Sequence, residues 1–449
     1  MSSKYWYRLD NAAMIFPPVS GKTSPNTFAF SATLDEMIDK DILEKSVREV
    51  VKSEDTFRVR LKKGIFWYYL EENDKDPIVQ EEPQNFMEYI DYRYDDNYLF
   101  RVYYLNNKIT VVFFHALTDG TGGLYFLKQI IYTYLKNRGY DIATEGLIKP
   151  TEIPTTLEES TDKFMNIENK TKEKKIAENK ALKLSGTPFK VFGTGIIVGD
   201  CETALVKNLA KKYNTTITGY LCGLYMFSLY KSYIANKVVK DKTICISIPV
   251  NIRKRHPSET KRNFSLVVRV SYDFSKPATL DEVIGECTKQ LKEKITTEQL
   301  DAQIKFNTGA EKNWLMKIVP RFIKTLVLKI AYKVRGTKQE STNLSNIGVV
   351  NLPADISKHV RNMYFILQAS KTTQKNLSVL GFGDKLYFAF SRRHIECGAE
   401  REFFKTLEEN GVDVTVNSNY QEVQRWSIVI FAVLMLIPKK KFARFVTTD

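Results

Sequence analysis

The sequence predicts an α/β fold made of two similar lobes. Strand-like and helix-like segments alternate through both halves, a polar charged segment separates the halves, and no shorter repeat period is visible. A chain of 449 residues is long enough for two lobes, each with its own hydrophobic core. We place the first lobe at 1–156, a crossover linker at 157–187, the second lobe at 188–419 and an apolar, basic tail at 420–449.

In the first lobe, the hydrophobic pattern predicts a strand, a helix, a hairpin, two more strands and a second helix. Alternating apolar residues indicate strands, and apolar residues three or four positions apart indicate helices. The hairpin is expected to turn at Lys63 and Gly64, because glycine accepts the positive φ that such turns need. The predicted segments are 27–34 (strand), 35–53 (helix), 57–73 (hairpin), 98–105 and 108–117 (strands) and 123–137 (helix).

After the Lys- and Glu-rich linker, the second half shows the same alternation of predicted strands and helices. One of its helices is apolar on all sides, which is typical of a buried helix. The predicted strands are 190–198, 243–252, 266–274, 343–352, 363–370, 377–383 and 385–391, and the predicted helices are 201–213, 215–234, 278–295 and 398–411.

The charge balance favours an anionic partner. Basic residues exceed acidic ones by 67 to 52, which gives a net charge of +15. Between Lys305 and Glu340 there are nine basic and two acidic residues, and in 420–449 there are five and two. A nucleic-acid binder would interleave such residues with exposed aromatics or carry a known motif, and the sequence has neither pattern, so we expect no nucleic-acid partner.

The cysteines and histidines argue against a metal site and against secretion. The five cysteines are far apart and form no CxxC pair, so neither a zinc site nor a disulfide framework is predicted. We interpret His256, His359 and His394 as surface or loop residues, since they lack partners at metal-ligand spacing. Residues 1–16 lack the apolar core of a signal peptide, so we expect a cytoplasmic protein.

The residues most indicative of chemistry are His115, Asp119 and Gly120, in the run FHALTDGTGG. His115 ends an apolar strand, and the glycines let the backbone turn before the next helix. A histidine on a strand is more often structural than catalytic, but a carboxylate four residues on suits a base that faces a cleft. A dinucleotide loop is not predicted, because Tyr125 occupies the third glycine position of GxGxxG.

The HxxxDG pattern at a strand end in the first third of the chain resembles the CoA-dependent acyltransferase superfamily. That superfamily includes chloramphenicol acetyltransferase, the plant BAHD acyltransferases and peptide-synthetase condensation domains. Many members have HHxxxDG, whereas Phe114 stands at the first histidine position here, which weakens the likeness to condensation domains. Four further segments make residues 5–419 similar to the bacterial alcohol acetyltransferase-like proteins: YRLDNAAMIFPPVS, IPVNIRKRHPSETKRNFS, STNLSNIGVVNLP and GFGDKLYFAFS.

This resemblance implies two mixed-sheet α/β lobes with a tunnel between them. His115 would be the general base that takes a proton from an alcohol or amine acceptor, which attacks the thioester of acyl-CoA, expected to be acetyl-CoA. No bound cofactor is implied. Asp119 would be structural and would pair with Arg253 in PVNIR.

Three asparagines are candidates for contacts with the tunnel or the substrate: Asn251, Asn263 and Asn346. Hydrogen bonds that only support the fold are the simpler interpretation for each of them. The sequence does not identify an oxyanion donor, because backbone N–H groups serve as well as side chains.

Two segments are candidates for weak contact with an anionic membrane. Trp314–Val334 has apolar residues at helical spacing and basic residues on the opposite face, which suits membrane contact, packing on the lobe with a solvated basic face, or attraction of a polyanionic CoA. In the tail, the uncharged run Trp426–Pro438 is shorter than the ~20 residues that span a bilayer, so it anchors at the surface, docks on the lobe, or is the remnant of a longer membrane region. Two alternative functions also stay open. The superfamily resemblance leaves a condensation-type enzyme that uses carrier-protein thioesters, and these two segments leave a non-catalytic peripheral membrane protein.

Overall fold

Two large mixed sheets organise the protein in the computed structural model. The structure describes residues 5–93, 98–153, 155–167, 180–189, 193–312, 318–332 and 338–420. Both large sheets combine parallel and antiparallel strands and carry helices on their faces. The predicted α/β class with mixed sheets is confirmed.

The strands and helices follow in chain order. The strands are β1 (Trp6–Arg8), β2 (Thr27–Leu34), β3 (Val59–Lys63), β4 (Tyr68–Glu72), β5 (Val79–Glu81), β6 (Phe100–Leu105), β7 (Lys108–Phe114), β8 (Gly195–Glu202), β9 (Thr243–Asn251), β10 (Ser265–Asp273), β11 (Thr342–Val350), β12 (Val360–Leu367), β13 (Lys375–Phe382), β14 (Lys385–Arg392) and β15 (Thr415–Ser418). The helices are α1 (Phe16–Val19), α2 (Lys40–Ser53), α3 (Gly120–Asn137), α4 (Leu157–Ser160), α5 (Thr203–Lys212), α6 (Ile217–Tyr233), α7 (Leu280–Lys294), α8 (Thr297–Lys312), α9 (Arg321–Ala331), α10 (Ala354–Ser357) and α11 (Gly398–Glu409).

The first sheet has the order β12-β2-β7-β6-β5, with α2 and α3 packed in the same core. Its centre is the antiparallel pair of β2 and β7, which sets Phe28 opposite Phe113 and stacks the two rings. Its edge strand β12 comes from the second half of the chain and pairs with β2. The sheets therefore do not follow the division of the sequence at the linker, because one strand crosses back to the first lobe.

The second sheet has the order β10-β9-β11-β13-β14-β8-β15. Helix α6 is apolar on all sides, as the sequence predicts, and lies buried between this sheet and α7. A third, smaller sheet joins the predicted β3–β4 hairpin to β1.

Helix starts follow capping side chains, which explains the main differences from the predicted bounds. The helix predicted from residue 35 begins at Lys40, because the Asp39 carboxylate accepts the N–H groups of Asp41 and Ile42. The short strands β1, β5 and β15 and the helix α8 were not predicted, since three or four residues carry too little periodicity and α8 has a weak apolar pattern.

Parts of four predicted segments lie outside the described residues. These are the middle of the linker (168–179), the start of the predicted strand 190–198 (190–192), the ends of the basic segment (313–317 and 333–337) and the tail from residue 421. Across the ranges that the structure does describe, no helix is both long enough and apolar enough to span a membrane.

A buried ion pair fixes α11 on the second sheet. Lys375, at the start of β13, and Glu400, in the first turn of α11, are 0 and 1% exposed. Lys375 Nζ donates to both Glu400 oxygens at 2.6 and 2.7 Å and to the carbonyl oxygen of Glu396 at 2.7 Å. Removing one partner of such a pair leaves the other charge buried without compensation.

We expect Lys375→Met to lower the free energy of unfolding by about 3–5 kcal/mol, because Glu400 would remain as an unpaired buried charge. Urea denaturation followed by circular dichroism measures the loss. Lys385→Met is the matched control: its partner Asp200 is also 2.6 Å away, but half of the lysine side chain is exposed. Its loss should stay below about 1 kcal/mol, and equal losses in the two variants would contradict the prediction.

Candidate active site

His115 lies where the central strand β7 of the first sheet ends. Its backbone N–H donates to the carbonyl oxygen of Asn26 at 2.9 Å, just after Phe114 completes the strand. The imidazole stacks on the ring of Phe16, with centroids 4.6 Å apart, and meets the ring of Phe28 edge-on at 5.0 Å. These two aromatic contacts fix the plane of a partly exposed imidazole.

Asn263 determines which imidazole nitrogen carries the proton. Its side-chain Nδ2 group donates to Asp10 Oδ2 and to the backbone oxygen of His115, both at 3.1 Å. These two bonds use both amide hydrogens, so the oxygen Oδ1 is the atom that lies 3.0 Å from His115 Nδ1. Nδ1 must therefore donate, and Nε2 keeps its lone pair and is the basic nitrogen.

Partial burial favours the neutral form of this imidazole. Loss of hydration lowers the pKa of His115 below its usual value of 6.5, against smaller opposing effects from Asp119 and the Asn263 hydrogen bond. A neutral imidazole with a free lone pair on Nε2 is the form that a general base requires.

Asp10 is a functional candidate that the sequence reasoning missed. It is buried, and its carboxylate accepts the N–H of Ala13 at 2.7 Å and the Asn263 side chain at 3.1 Å. Burial and the nearby Asp162 raise the pKa of Asp10 to about 7, while the bonds from Asn263 and Ala13 oppose the rise. Asp10 lies in the segment YRLDNAAMIFPPVS, but no local pattern links it to a residue 253 positions away.

The carboxylate of Asp119 joins the two halves of the chain. Neither of its oxygens is hydrogen-bonded to the imidazole of His115. Six donors from α3 and from the second half surround its carboxylate, which fills the acceptor sites of both oxygens. The donors are the N–H groups of Thr121, Gly122 and Phe264 (3.1, 3.2 and 2.9 Å), the hydroxyl of Ser265 (2.9 Å), and Nη1 and Nη2 of Arg253 (2.8 and 3.2 Å). Burial alone would raise the pKa of Asp119, but the charge and hydrogen bonds of Arg253 and the backbone donors outweigh it and lower that pKa.

Arg253 and Asn251 support this junction from the end of β9. Arg253 also donates to the carbonyl oxygens of Thr260 and Arg262, at 3.0 and 2.7 Å. Asn251 accepts the Arg253 backbone N–H at 2.9 Å and donates to Thr121 Oγ1 at 3.0 Å. The two residues therefore hold the turn that follows His115.

Gly120 and Gly122 lie where the two halves approach closely, and at Gly122 the approach of main chain requires glycine. A Cβ atom at Gly120 would lie 2.6 Å from the Cδ1 atom of Ile347 on β11. At Gly122 a Cβ atom would lie 2.2 Å from the backbone oxygen of Lys261, which has no room to move aside. Both glycines lie in the first turn of α3 and not, as the sequence predicts, in a turn before it, and they let segments of the second half pack directly on the start of the helix.

Asn346 has its own hydrogen-bond partners in the second half. Its amide donates to Thr218 Oγ1 at 3.0 Å and accepts the N–H of Gly348 at 2.9 Å. It lines a cavity of about 580 Å³ together with Thr216, Val250 and Lys292. The structure thus groups His115, Asp119, Gly120, Asn251, Arg253 and Asn263, and gives Asn346 a separate position on β11.

The remaining histidines have structural contacts. His256 bonds to Asp301 and His359 to Asp35, at 2.8 and 3.1 Å. His394 lies in the loop between β14 and α11, as expected, but it is not on the surface: it is fully buried against Tyr233, and burial lowers its pKa to about 4. Within the ranges that the structure describes, no cluster of three or more His, Cys, Asp or Glu side chains is arranged to hold a metal ion.

Comparison with known proteins places the chain near acyltransferases. Residues 196–380 match the family model described as alcohol acetyltransferase. An uncharacterized protein of fission yeast (Schizosaccharomyces pombe) is 24% identical over 289 residues, and this match covers 61% of the chain and 63% of that protein. The match thus spans less than two thirds of the relative's length. Since the relative is a yeast protein, the bacterial part of the expected resemblance has no support.

Solved structures share the fold at low sequence identity. A trichothecene 15-O-acetyltransferase from Fusarium sporotrichioides has a TM-score of 0.62 at 8% identity, covering 91% of this chain and 94% of that one. The first condensation domain of the calcium-dependent antibiotic synthetase has a TM-score of 0.60 at 12% identity, covering 92 and 100%. A variant of the starter condensation domain of rhizomide synthetase, in complex with C8-CoA, has a TM-score of 0.55 at 11% identity, covering 91 and 98%. The fold is therefore the one found in condensation domains and in this acetyltransferase.

We expect Asp119→Asn and Arg253→Met each to lower the free energy of unfolding by about 3–5 kcal/mol, because each leaves a buried partner uncompensated. Measured as a double-mutant cycle by urea denaturation, the two losses should show a coupling of about 0.5–3 kcal/mol.

The exposed pair of Arg93 and Asp91, also 2.8 Å apart, provides the control cycle. Its coupling should be no more than about 0.2–1 kcal/mol. Additive losses for Asp119 and Arg253 would show that the pair does not hold the two halves together.

Proposed function

We propose that this protein is an acyltransferase that moves an acyl group from acyl-CoA to an alcohol or amine acceptor, with His115 as the general base. The observation that carries the proposal is the bond from His115 Nδ1 to Asn263 Oδ1, which leaves Nε2 basic on a partly exposed ring. The alcohol acetyltransferase match of residues 196–380 and the shared fold support the class of reaction.

The proposed reaction needs one proton acceptor and no covalent enzyme intermediate. As the acceptor oxygen or nitrogen attacks the thioester carbonyl carbon, its proton moves to His115 Nε2. The tetrahedral intermediate then collapses, the carbon–sulfur bond breaks, and the imidazolium returns the proton to the CoA sulfur. The products are the acylated acceptor and free CoA thiol, and His115 is neutral again.

The surrounding residues act on the position of His115 rather than on the substrate. Asn263, held by Asp10, keeps the proton on Nδ1, while Phe16 and Phe28 fix the plane of the ring. Asp119, paired with Arg253, holds the turn and takes no proton in this mechanism.

Acyl-CoA is the proposed donor, and acetyl-CoA is the first member to test. The basic surplus of the chain suits a polyanionic cosubstrate, and a condensation domain of the same fold has been solved with C8-CoA. The second candidate donor is an acyl group on a carrier protein, which the fold shared with condensation domains favours.

A single assay separates these functions. Acetyl-CoA and octanoyl-CoA are offered with a panel of alcohols and amines, and released thiol is followed. An acetylated carrier protein is offered in parallel with the same acceptors. Thiol release from the CoA esters supports the proposal, turnover of the carrier thioester alone supports the condensation-type enzyme, and no turnover of either supports a non-catalytic module.

We also propose a reducing, cytoplasmic location. All five cysteines are free thiols and four of them are buried. Fractionation of cells that express a tagged chain tests this location.

We expect His115→Ala to reduce kcat by about a hundredfold to ten-thousandfold, because a positioned general base contributes that much. Thiol release with the acceptor found in the screen measures the rate, and circular dichroism shows that the fold is kept. His359→Ala, which removes a histidine bonded to Asp35, should keep the parent rate. A parent-like rate in His115→Ala would rule out the mechanism.

We expect kcat/KM to fall on the acid side with an inflection below pH 6.5, because burial lowers the pKa of His115 and protonation removes the base. Since the Asn263 bond raises that pKa, Asn263→Ala should move the inflection to still lower pH. It should also reduce the rate by about tenfold to a hundredfold, the size of loss known for partners that orient metal-bound histidines.

Asn137→Ala is the control, because this asparagine bonds to Ser46 and Glu49 at the far end of α3. Its pH profile should match that of the parent. If Asn263→Ala kept both the parent rate and the parent inflection, Asn263 would have no role in setting the tautomer.

A further inference from the structure

Helix α9 turns its apolar side to solvent. Five apolar side chains on it, at relative positions i, i+1, i+4, i+5 and i+8, form one stripe and are 41 to 68% exposed. The neighbouring tip of the β3–β4 hairpin adds two more exposed apolar residues, and a further one precedes the helix. We call this set the apolar face: Ile65, Phe66, Ile318, Phe322, Ile323, Leu326, Val327 and Ile330.

Two of the three basic residues of α9, Arg321 and Lys324, point inward, whereas Lys329 is exposed. Lys324 is buried. Its Nζ donates to the Phe66 carbonyl oxygen at 3.2 Å and lies 3.4 Å from the centre of the Trp67 ring. Arg321 donates through Nε to the Gly64 carbonyl oxygen at 2.9 Å. These two cations hold the helix against the hairpin. The apolar stripe of the helix therefore faces away from the core. The helix therefore packs on its own lobe, as one of the alternatives expected, but its basic face is solvated only in part, at Lys329.

Charge distinguishes between the occupants that could cover this face. From Lys305 to Glu340 there are nine basic and two acidic residues, and Lys63 and Lys329 are exposed beside the apolar residues. A second copy would bring the same positive excess against it, whereas an anionic bilayer supplies the opposite charge.

Aromatic side chains at the edge of the face also suit a lipid surface. Trp6 is 71% exposed and borders the same open cavity as Phe66 and Trp67. Tyrosine and tryptophan rings favour the headgroup region, where one edge is apolar and the other is hydrated.

The inner side of α9 lies close to the segment that positions His115. Thr325 and Leu328 line a small cavity with Met14 and Pro18, and Phe16 between them in sequence stacks on the imidazole. A surface that binds α9 therefore lies next to the candidate active site.

We propose that the apolar face docks on an anionic phospholipid bilayer, with α9 lying in the plane of the interface. A helix with a strong apolar stripe and flanking cations binds such a surface through buried apolar area and attraction to acidic headgroups. This inference does not depend on acyl transfer.

The test is co-sedimentation of the full chain with vesicles of phosphatidylcholine alone or mixed with phosphatidylserine. We expect binding to the mixed vesicles, weaker at high salt. Phe322→Ser combined with Leu326→Ser should reduce the partition coefficient at least about tenfold, since two buried apolar side chains are lost. The matched control combines Val238→Ser with Val416→Ser, which removes two exposed apolar side chains from a loop and from β15 and should bind like the parent.

Three outcomes would overturn the proposal. Undiminished binding of the Phe322 and Leu326 variant would place the lipid contact elsewhere in the chain. Equal binding to both kinds of vesicle would remove the role of acidic headgroups. A chain that ignores vesicles but forms a dimer, dispersed by the same substitutions in sedimentation velocity, would make the face a self-association surface.

Discussion

The carboxylate of Asp119 is the constraint on which the site depends. It lies in the first half of the chain, caps α3, and accepts hydrogen bonds from Arg253, Phe264 and Ser265 of the second half. A buried charge persists only where donors replace the water it has lost, and here six donors do so. The same junction brings Ile347 against Gly120, so the start of α3 is in contact with both halves of the chain.

The protonation state of His115 follows from this junction. Because Phe264 donates its backbone N–H to Asp119, the neighbouring Asn263 is held where its amide reaches His115. The amide hydrogens are used by Asp10 and by the His115 carbonyl oxygen, so only the amide oxygen can face the imidazole. The fold itself thus holds the imidazole in one tautomer, with the proton on Nδ1.

Several of the basic residues serve the interior rather than the surface. Arg253, Lys324 and Lys375 are each largely buried and donate to backbone carbonyl oxygens as well as, for Arg253 and Lys375, to carboxylates. Part of the net charge of +15 therefore holds segments together. On α9 the buried cations occupy the inner side of the helix, so the apolar side chains face outward.

The sequence alone determined what depends on neighbours along the chain. Hydrophobic period identified the long strands and helices, and the strand end with three glycines identified His115 and its turn, because these features need only a few consecutive residues. The pairing of Asp119 with Arg253 was expected only through resemblance. Tertiary structure alone decided that Asn263 and Asp10 orient His115, since these contacts join residues 148 and 253 positions apart. It also decided that β12 joins the first sheet and that the apolar stripe of α9 faces outward. The hydrophobic period of a sequence predicts which residues share a face, but it does not predict which surface that face contacts.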